Sequence, residues 1–419
     1  MRSTLAGMGY TLLGPSAAVT TLDEAQAAAA QLKDAPLDLL LIYQATFADS
    51  SMVLALVQQV DAPMLLWAVP EAATGGRLRL NSLCGINLAG HALTRAGFRY
   101  AYTYANPTDE AALEKLRVQA AAGRVRRKLR GSRIGRIGEN PSGFETCLVN
   151  RPALRDRLGI DVVDVDLRQQ VFEPSRAVPE TAVDAAAARL DGRVAGLTAL
   201  DTTATRGTLR TYLTLNHLAQ TETLQGMAVR CWPEFFTELG CAACGAMSML
   251  SDEQIPASCE ADVNGTITQY MLQLISGEPA FGSDIVSVDR DLDALIIWHC
   301  GLAPLSMADT QVQPGVTIHS NRKLPLLMDF SLKPGVVTIA RLSEATGTFR
   351  LVIGRAEIVR GEKPFSGTCG FLRFERGAEA TLDCILSEGL EHHISLTYGD
   401  HRATLQALAH MLDIPVLQL

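Results

Sequence analysis

Short apolar runs of buried-strand length alternate with helix-forming stretches through the first 120 residues or so, and this pattern confines the chain to a parallel sheet covered by helices. Residues 22–33 (LDEAQAAAAQLK) have helical composition, and Leu37–Tyr43 (LDLLLIY) is a buried-strand run. A second helical stretch, SSMVLALVQQV, leads into a second run, PMLLWAV. Open sheets of this kind bind ligands at the carboxyl ends of their strands. The loop ATGGRLRLNSLCG follows such an end and offers Arg77, Arg79 and Asn81 as donors, although its composition alone reads as a solvated loop. The basic tract RVRRKLRGSRIGR (124–136) reads as a solvated connector. A second alternation runs from there to Ala294–Trp298. After Gly301 short strand-like segments separated by Gly, Pro and Lys take over, as in an antiparallel sheet or barrel, and a helix (DHRATLQALAHMLDI) closes the chain. The expected fold is two doubly wound α/β domains, 1–128 and 129–305, followed by an antiparallel β-barrel-like domain over 306–419.

Charge narrows the partners. Thirty-seven basic against 45 acidic side chains give a net charge of −8. Such a chain repels phosphate backbones and anionic lipid, so nucleic acid and a membrane surface are poor partners. Gly9, Gly14 and Pro15 interrupt the small-residue N-terminus, and no run reaches the ~18 apolar residues of a span. Nine scattered cysteines, an odd number, read as reduced thiols, and together these features point to the cytoplasm. Cys241 and Cys244 form a CxxC with no second pair, which reads as buried thiols. There is no GxGxxG after a first strand, no P-loop and no GxSxG elbow, which removes the common nucleotide and serine-hydrolase readings.

Four patches carry unusual side chains. RCWPEFF flanks Glu234 with aromatic groups that would partly desolvate it, unless it is simply an exposed residue at a helix start. CEADVNGT places Glu260, Asp262 and Asn264 at alternate positions; an extended chain would turn all three to one face, whereas a helix start would make Asp262 or Asn264 an N-cap. WHCG ends an apolar strand in Trp298 and His299, placed either for ligand contact or in the core. GLEHH carries His392 and His393, and strand alternation would allow only one of them to face a shared site. Imidazole with carboxylates suits Mn²⁺ or another borderline-hard divalent ion.

In this order the patches resemble the L-fucose isomerase family, and more distantly the L-arabinose isomerases. The most specific stretch is GLEHHISLTYGDHRATLQALAHMLDIPVLQL, similar to the family's closing Gly-x-x-His segment, helix and Ile-Pro-Val strand. CEADVNGTITQYMLQLISGEPAFGSDI resembles its Glu-x-Asp stretch with the following helix and Asp. The resemblance implies an aldose–ketose isomerase holding a divalent ion, usually Mn²⁺, by a Glu, an Asp and a His, here Glu234, Asp262 and His392. Glu238 competes with Glu234, and His393 with His392. Glu234 and Asp262 would be the acid/base groups of a cis-enediol proton transfer. Arg77, Asn81, Glu260, Trp298, His299, Lys333 and His393 would meet the sugar. The resemblance also implies a homotrimer or homohexamer in which the Arg77–Gly85 loop covers a neighbour's site. The resemblance implies a free or 6-substituted aldose as substrate; Arg77, Arg79, Arg322, Lys323 and Lys333 are the groups that could meet an anionic substituent. A non-catalytic sugar-binding protein and a metal-dependent epimerase are the rival readings.

Overall fold

The apolar runs of the first third form strands β1 (Leu40–Gln44), β2 (Met64–Ala68) and β3 (Ala101–Tyr104), paired in parallel in the order β1-β2-β3. Residues 1–419 are described by a computed structural model. β2, in the middle, is buried at every position, as its unbroken apolar sequence MLLWA requires. Helix α1 (Leu22–Leu32) opens with a capping box in which Thr21 and Glu24 satisfy each other's backbone N–H. Helix α2 (Ser82–Arg95) follows the glycine-rich loop, and α3 (Glu110–Leu129) runs on through the basic tract. That tract does hold the division between the two compact units, at 128/129, but as the end of a helix rather than a solvated loop. Arg126 and Arg127 lie on α3 and pair with Asp61 and Asp38, and the residues after it enter a strand. Residues 1–128 and 403–413 make up one compact unit, and 129–402 with 414–419 the other.

In the second unit β4 (Arg133–Ile137), β5 (Asp161–Val165), β6 (Gly226–Val229) and β7 (Ala257–Ser258) form a parallel sheet in the order β5-β4-β6-β7. Helix α4 (Thr202–Thr221) is N-capped by Asp201 and buries Leu209, Tyr212, Leu215 and Ala219 at helical spacing. Helix α5 (Val263–Ser276) is capped by Asp262 and ends at Gly277 in the left-handed region. It packs on β4, β6 and β7 and on three strands of the last sheet, so its first ten residues are all buried.

That last sheet has nine strands: β8 (Phe281–Asp289), β9 (Ala294–His299), β10 (Gly315–Thr317), β11 (Leu327–Ser331), β12 (Gly335–Ser343), β13 (Arg350–Val359), β14 (Thr368–Phe374), β15 (His393–Tyr398) and β16 (Val416–Gln418). It is mixed, with order β10-β11-β14-β9-β8-β15-β12-β13-β16 and a further β13–β14 pairing. The run β14-β9-β8-β15-β12-β13 is antiparallel throughout, and the further pairing gives each of these six strands a partner on both edges. The sheet begins at Phe281, so β8 and β9, which the sequence reading places in the second α/β domain, are strands of it. The closing helix, Arg402–Leu412, groups with the first unit instead. A large core including Phe172, Tyr212, Phe235, Met247 and Phe281 fills the second unit.

Candidate active site

The turn between β7 and α5 puts two carboxylates in place by different means. Glu260 and Ala261 both have positive φ, 59° and 56°, at a cost of about 1–3 kcal/mol each. The Asn140 side-chain amide holds the turn by donating to both of their carbonyl oxygens, at 3.1 and 2.9 Å. Glu260 is thereby directed toward Trp232, whose indole N–H donates to its Oε1 (3.2 Å), while Oε2 meets His392 Nε2 at 3.0 Å. Burial pushes the Glu260 carboxyl up, but the His392 hydrogen bond, the nearby His393 and the Trp232 N–H outweigh it and hold it below the usual range.

Asp262 has the opposite environment. Its carboxylate is fully buried and accepts from Arg341 Nη1 (2.5 Å) and Nη2 (3.1 Å), from the Gly265 backbone N–H (2.9 Å) and from His393 Nδ1 (3.0 Å). Burial opposes its charge, yet the Arg341 guanidinium and the His393 hydrogen bond keep it ionised far below the ordinary carboxylate range. With these four bonds its lone pairs are filled. Asn264 donates to Glu344, so the segment is a turn and a helix cap rather than an extended strand with three side chains on one face.

The antiparallel register brings in Asp284, the Asp that follows the helix in the resemblance but that sequence reasoning did not place in the site. His393 on β15 stands opposite Asp284 on β8, and Asp284 stands opposite Trp298 on β9. His393 Nε2 lies 3.3 Å from Asp284 Oδ1 and 3.9 Å from Glu260 Oε2. Asp284 Oδ1 is buried without a hydrogen bond. Asp284, His299 and His393 offer donor atoms within 4.8 Å of one another, as do Cys147, Glu260, His392 and His393. Because Asp262 is ionised and acceptor-only, His393 Nδ1 donates to it, and the ring turns Nε2 toward Asp284 and Glu260.

His392 also joins the cluster. Its Nδ1 meets Thr146 Oγ1 at 2.8 Å, and its ring centroid is 3.9 Å from that of His393. The expectation that only one of the two imidazoles faces the site does not hold. His392 precedes the first residue of β15, so strand alternation does not govern its direction. Burial disfavours its charged form, but Glu260 and the neighbouring Asp284 raise its pKa nonetheless.

The remaining candidates fall outside this cluster. Glu234 is bound to Arg230 Nε at 2.8 Å, and that hydrogen bond holds its carboxyl low against partial burial. Glu238 forms a two-pronged pair with Arg168, at 2.8 and 2.6 Å. Lys333 donates to the Ser306 carbonyl and lies over the Tyr398 ring. Trp298 stacks on His299 at an interplanar angle of 12° and donates to the Ser366 carbonyl. Arg77 and Asn81 belong to the first unit, on a loop fixed by Glu71, which accepts the backbone N–H groups of Arg79, Leu80 and Asn81. Cys241 and Cys244 are buried thiols, and no helix is long and apolar enough to cross a membrane.

The site is a carboxylate–imidazole centre of the second unit, placed between the end of a parallel sheet and a large mixed one. Residues 4–130 match the N-terminal domain of fucose/sulfoquinovose isomerases, and residues 328–419 match the C-terminal domain of L-fucose isomerases. The chain is 33% identical over 412 residues to a sulfoquinovose isomerase of Priestia megaterium, covering 98% of this chain and 92% of that protein. Sulfoquinovose isomerases of Alkalicoccus urumqiensis and of a Clostridium species are each 32% identical over 383 residues, with 90% of this chain and 86% and 85% of those proteins covered. The chain belongs to the fucose/sulfoquinovose isomerase family, and with it to the aldose–ketose isomerases.

Proposed function

We propose that this enzyme converts an aldose carrying a sulfonate at C6, sulfoquinovose, into the corresponding 2-ketose with the help of a divalent ion held by Glu260, Asp284 and His393. The names of the relatives support the substrate class. One observation carries the metal reading: His393 Nε2 lies 3.3 Å from the unbonded Asp284 Oδ1 and 3.9 Å from Glu260 Oε2, and so joins the two groups of possible ligands. Oxygen and imidazole donors suit Mn²⁺, the ion the sequence resemblance implies. Asp262 orients His393 through Nδ1, in the way a carboxylate supports a metal-bound histidine.

Held by Glu260, Asp284 and His393, such an ion would supply positive charge to offset the negative charge that develops as the C2 proton leaves. The protein's task is to move two protons. Glu260 and Asp284 are the carboxylate pair: one takes the proton from C2 and delivers it to C1, and the other handles the hydroxyl proton. His392 and Trp232 fix the Glu260 carboxylate from two sides. Asp262, with its lone pairs filled, and Glu234, paired with Arg230, are poorly placed for either task. Glu234→Gln is accordingly expected to keep its metal and to lose less than about tenfold in kcat, as for a group outside the ligand set; a chelation titration with steady-state kinetics checks this. We propose a cytoplasmic homo-oligomer as its working form, which sedimentation of the purified protein and cell fractionation would check.

Incubating the purified enzyme with sulfoquinovose in D₂O tests the function. The ketose carbonyl is expected in the carbon NMR spectrum with deuterium at C1, to be lost after chelation and to return with Mn²⁺. Binding without any ketose would favour the non-catalytic sugar-binding reading, and undiminished turnover after complete metal removal would overturn the metal reading.

A further inference from the structure

We propose that Arg322 is the group that recognises the substrate's sulfonate, an inference that rests on the sulfo-sugar reading above. Its guanidinium carbon lies 5.1 Å from the centre of the Trp232 ring and 5.0 Å from that of Phe236. Stacking on aromatic faces fixes the plane of a guanidinium while leaving its N–H edges free. No carboxylate or carbonyl meets those edges; among the hydrogen bonds of Arg322, only the backbone N–H is engaged, with His319 Nδ1 at 3.3 Å.

The other arginines of this region are already committed. Arg230 is bound to Glu234 and to the carbonyls of Glu139 and Asn140, and Arg341 to Asp262 and the Thr146 carbonyl. Position agrees with the role. Trp232, on which Arg322 lies, is the residue whose indole N–H reaches Glu260, so one indole separates the free cation from the candidate proton-transfer carboxylate. A sugar with C1 and C2 at that carboxylate would extend its far end along the indole. His319, edge-on to Phe236 at 5.1 Å, adds no second cation at neutral pH, because burial and the charges of Arg322, His299 and Lys323 drive it down to about 4. An uncompensated planar cation with several free N–H donors fits the three oxygens of a sulfonate.

The test compares sulfoquinovose, its unsulfonated counterpart quinovose (6-deoxyglucose) and glucose 6-phosphate in wild type, Arg322→Gln and Arg322→Lys. The readout is the preference for sulfoquinovose over quinovose, as a ratio of kcat/KM values and of calorimetric Kd values. Arg322→Gln is expected to reduce this preference by about 10- to 100-fold, as for loss of a charged hydrogen-bond partner, with Arg322→Lys in between. General damage to the fold would lower both sugars together and leave the ratio unmoved. A wild-type preference for sulfoquinovose that survives intact in Arg322→Gln overturns the assignment while leaving the substrate reading standing. A wild type that ignores sulfoquinovose, or prefers the 6-phosphate, overturns the substrate reading and this inference with it.

Discussion

Asp284→Asn is expected to leave a folded protein that no longer retains a divalent ion and has lost about 10²–10⁴-fold in kcat, the range for removing a positioned acid/base group. The substitution keeps the size of the side chain and removes its charge. The oxygen concerned is buried and has no hydrogen bond, so the fold loses little with it. His393 Nε2, 3.3 Å away, would face a neutral amide, and the attraction for a cation would rest on Glu260 alone. Metal content after dialysis against Mn²⁺, read beside turnover and the thermal midpoint, checks each part. His392→Gln offers the contrast: it should keep its metal, because Glu260, Asp284 and His393 remain, and lose activity through a less firmly held Glu260. An Asp284→Asn enzyme with wild-type metal content and kcat would remove Asp284 from the centre.

Why Asp284, the Asp that follows the helix in the resemblance, has no role in the site legible from sequence is a matter of register. FGSDIVSVD alternates as any half-exposed strand does, and nothing within it distinguishes its first Asp from its second. Only the long-range pairing of β8 with β15, more than a hundred residues along the chain, sets Asp284 opposite His393. Local patterns were legible: the parallel strands of the first unit, the Asp262 helix cap, the buried cysteines and the short strands after Gly301 all follow from apolar spacing or cap chemistry. Glu234 drew attention because aromatic neighbours suggested a desolvated carboxylate. Its actual partner, Arg230, stands four residues earlier across a non-helical turn, a pairing that no helical spacing announces. The two histidines were separated on the assumption that both lie in a strand, but β15 begins one residue too late for that.

The largest expected effect on stability lies one step behind the site. Arg341→Met should destabilise the metal-free protein by about 3–5 kcal/mol at neutral pH, the usual consequence of removing one partner of a buried ion pair. Both side chains of the pair are 1% exposed, so water cannot replace the lost guanidinium. Asp262 would keep only the Gly265 N–H and His393 as donors, and a buried charge would stand without its counter-ion. The pH dependence follows from the direction of the Asp262 shift. A carboxyl held below its unfolded value of about 3.9 contributes stability that is complete above that pH and lost as pH falls through it toward the folded value. Wild type should therefore lose this contribution on acidification. Arg341→Met, whose Asp262 protonates more readily, should lose less, so the two stabilities converge below about pH 4. Urea midpoints measured from pH 7 down to pH 3, with Arg341→Met/Asp262→Asn as the companion in which no charge is stranded, separate the pair's contribution from simple loss of packing. If Arg341→Met alone costs under about 1 kcal/mol, or its deficit stays constant across that range, Asp262 does not depend on Arg341 for its charge, and His393 would owe its orientation to other contacts.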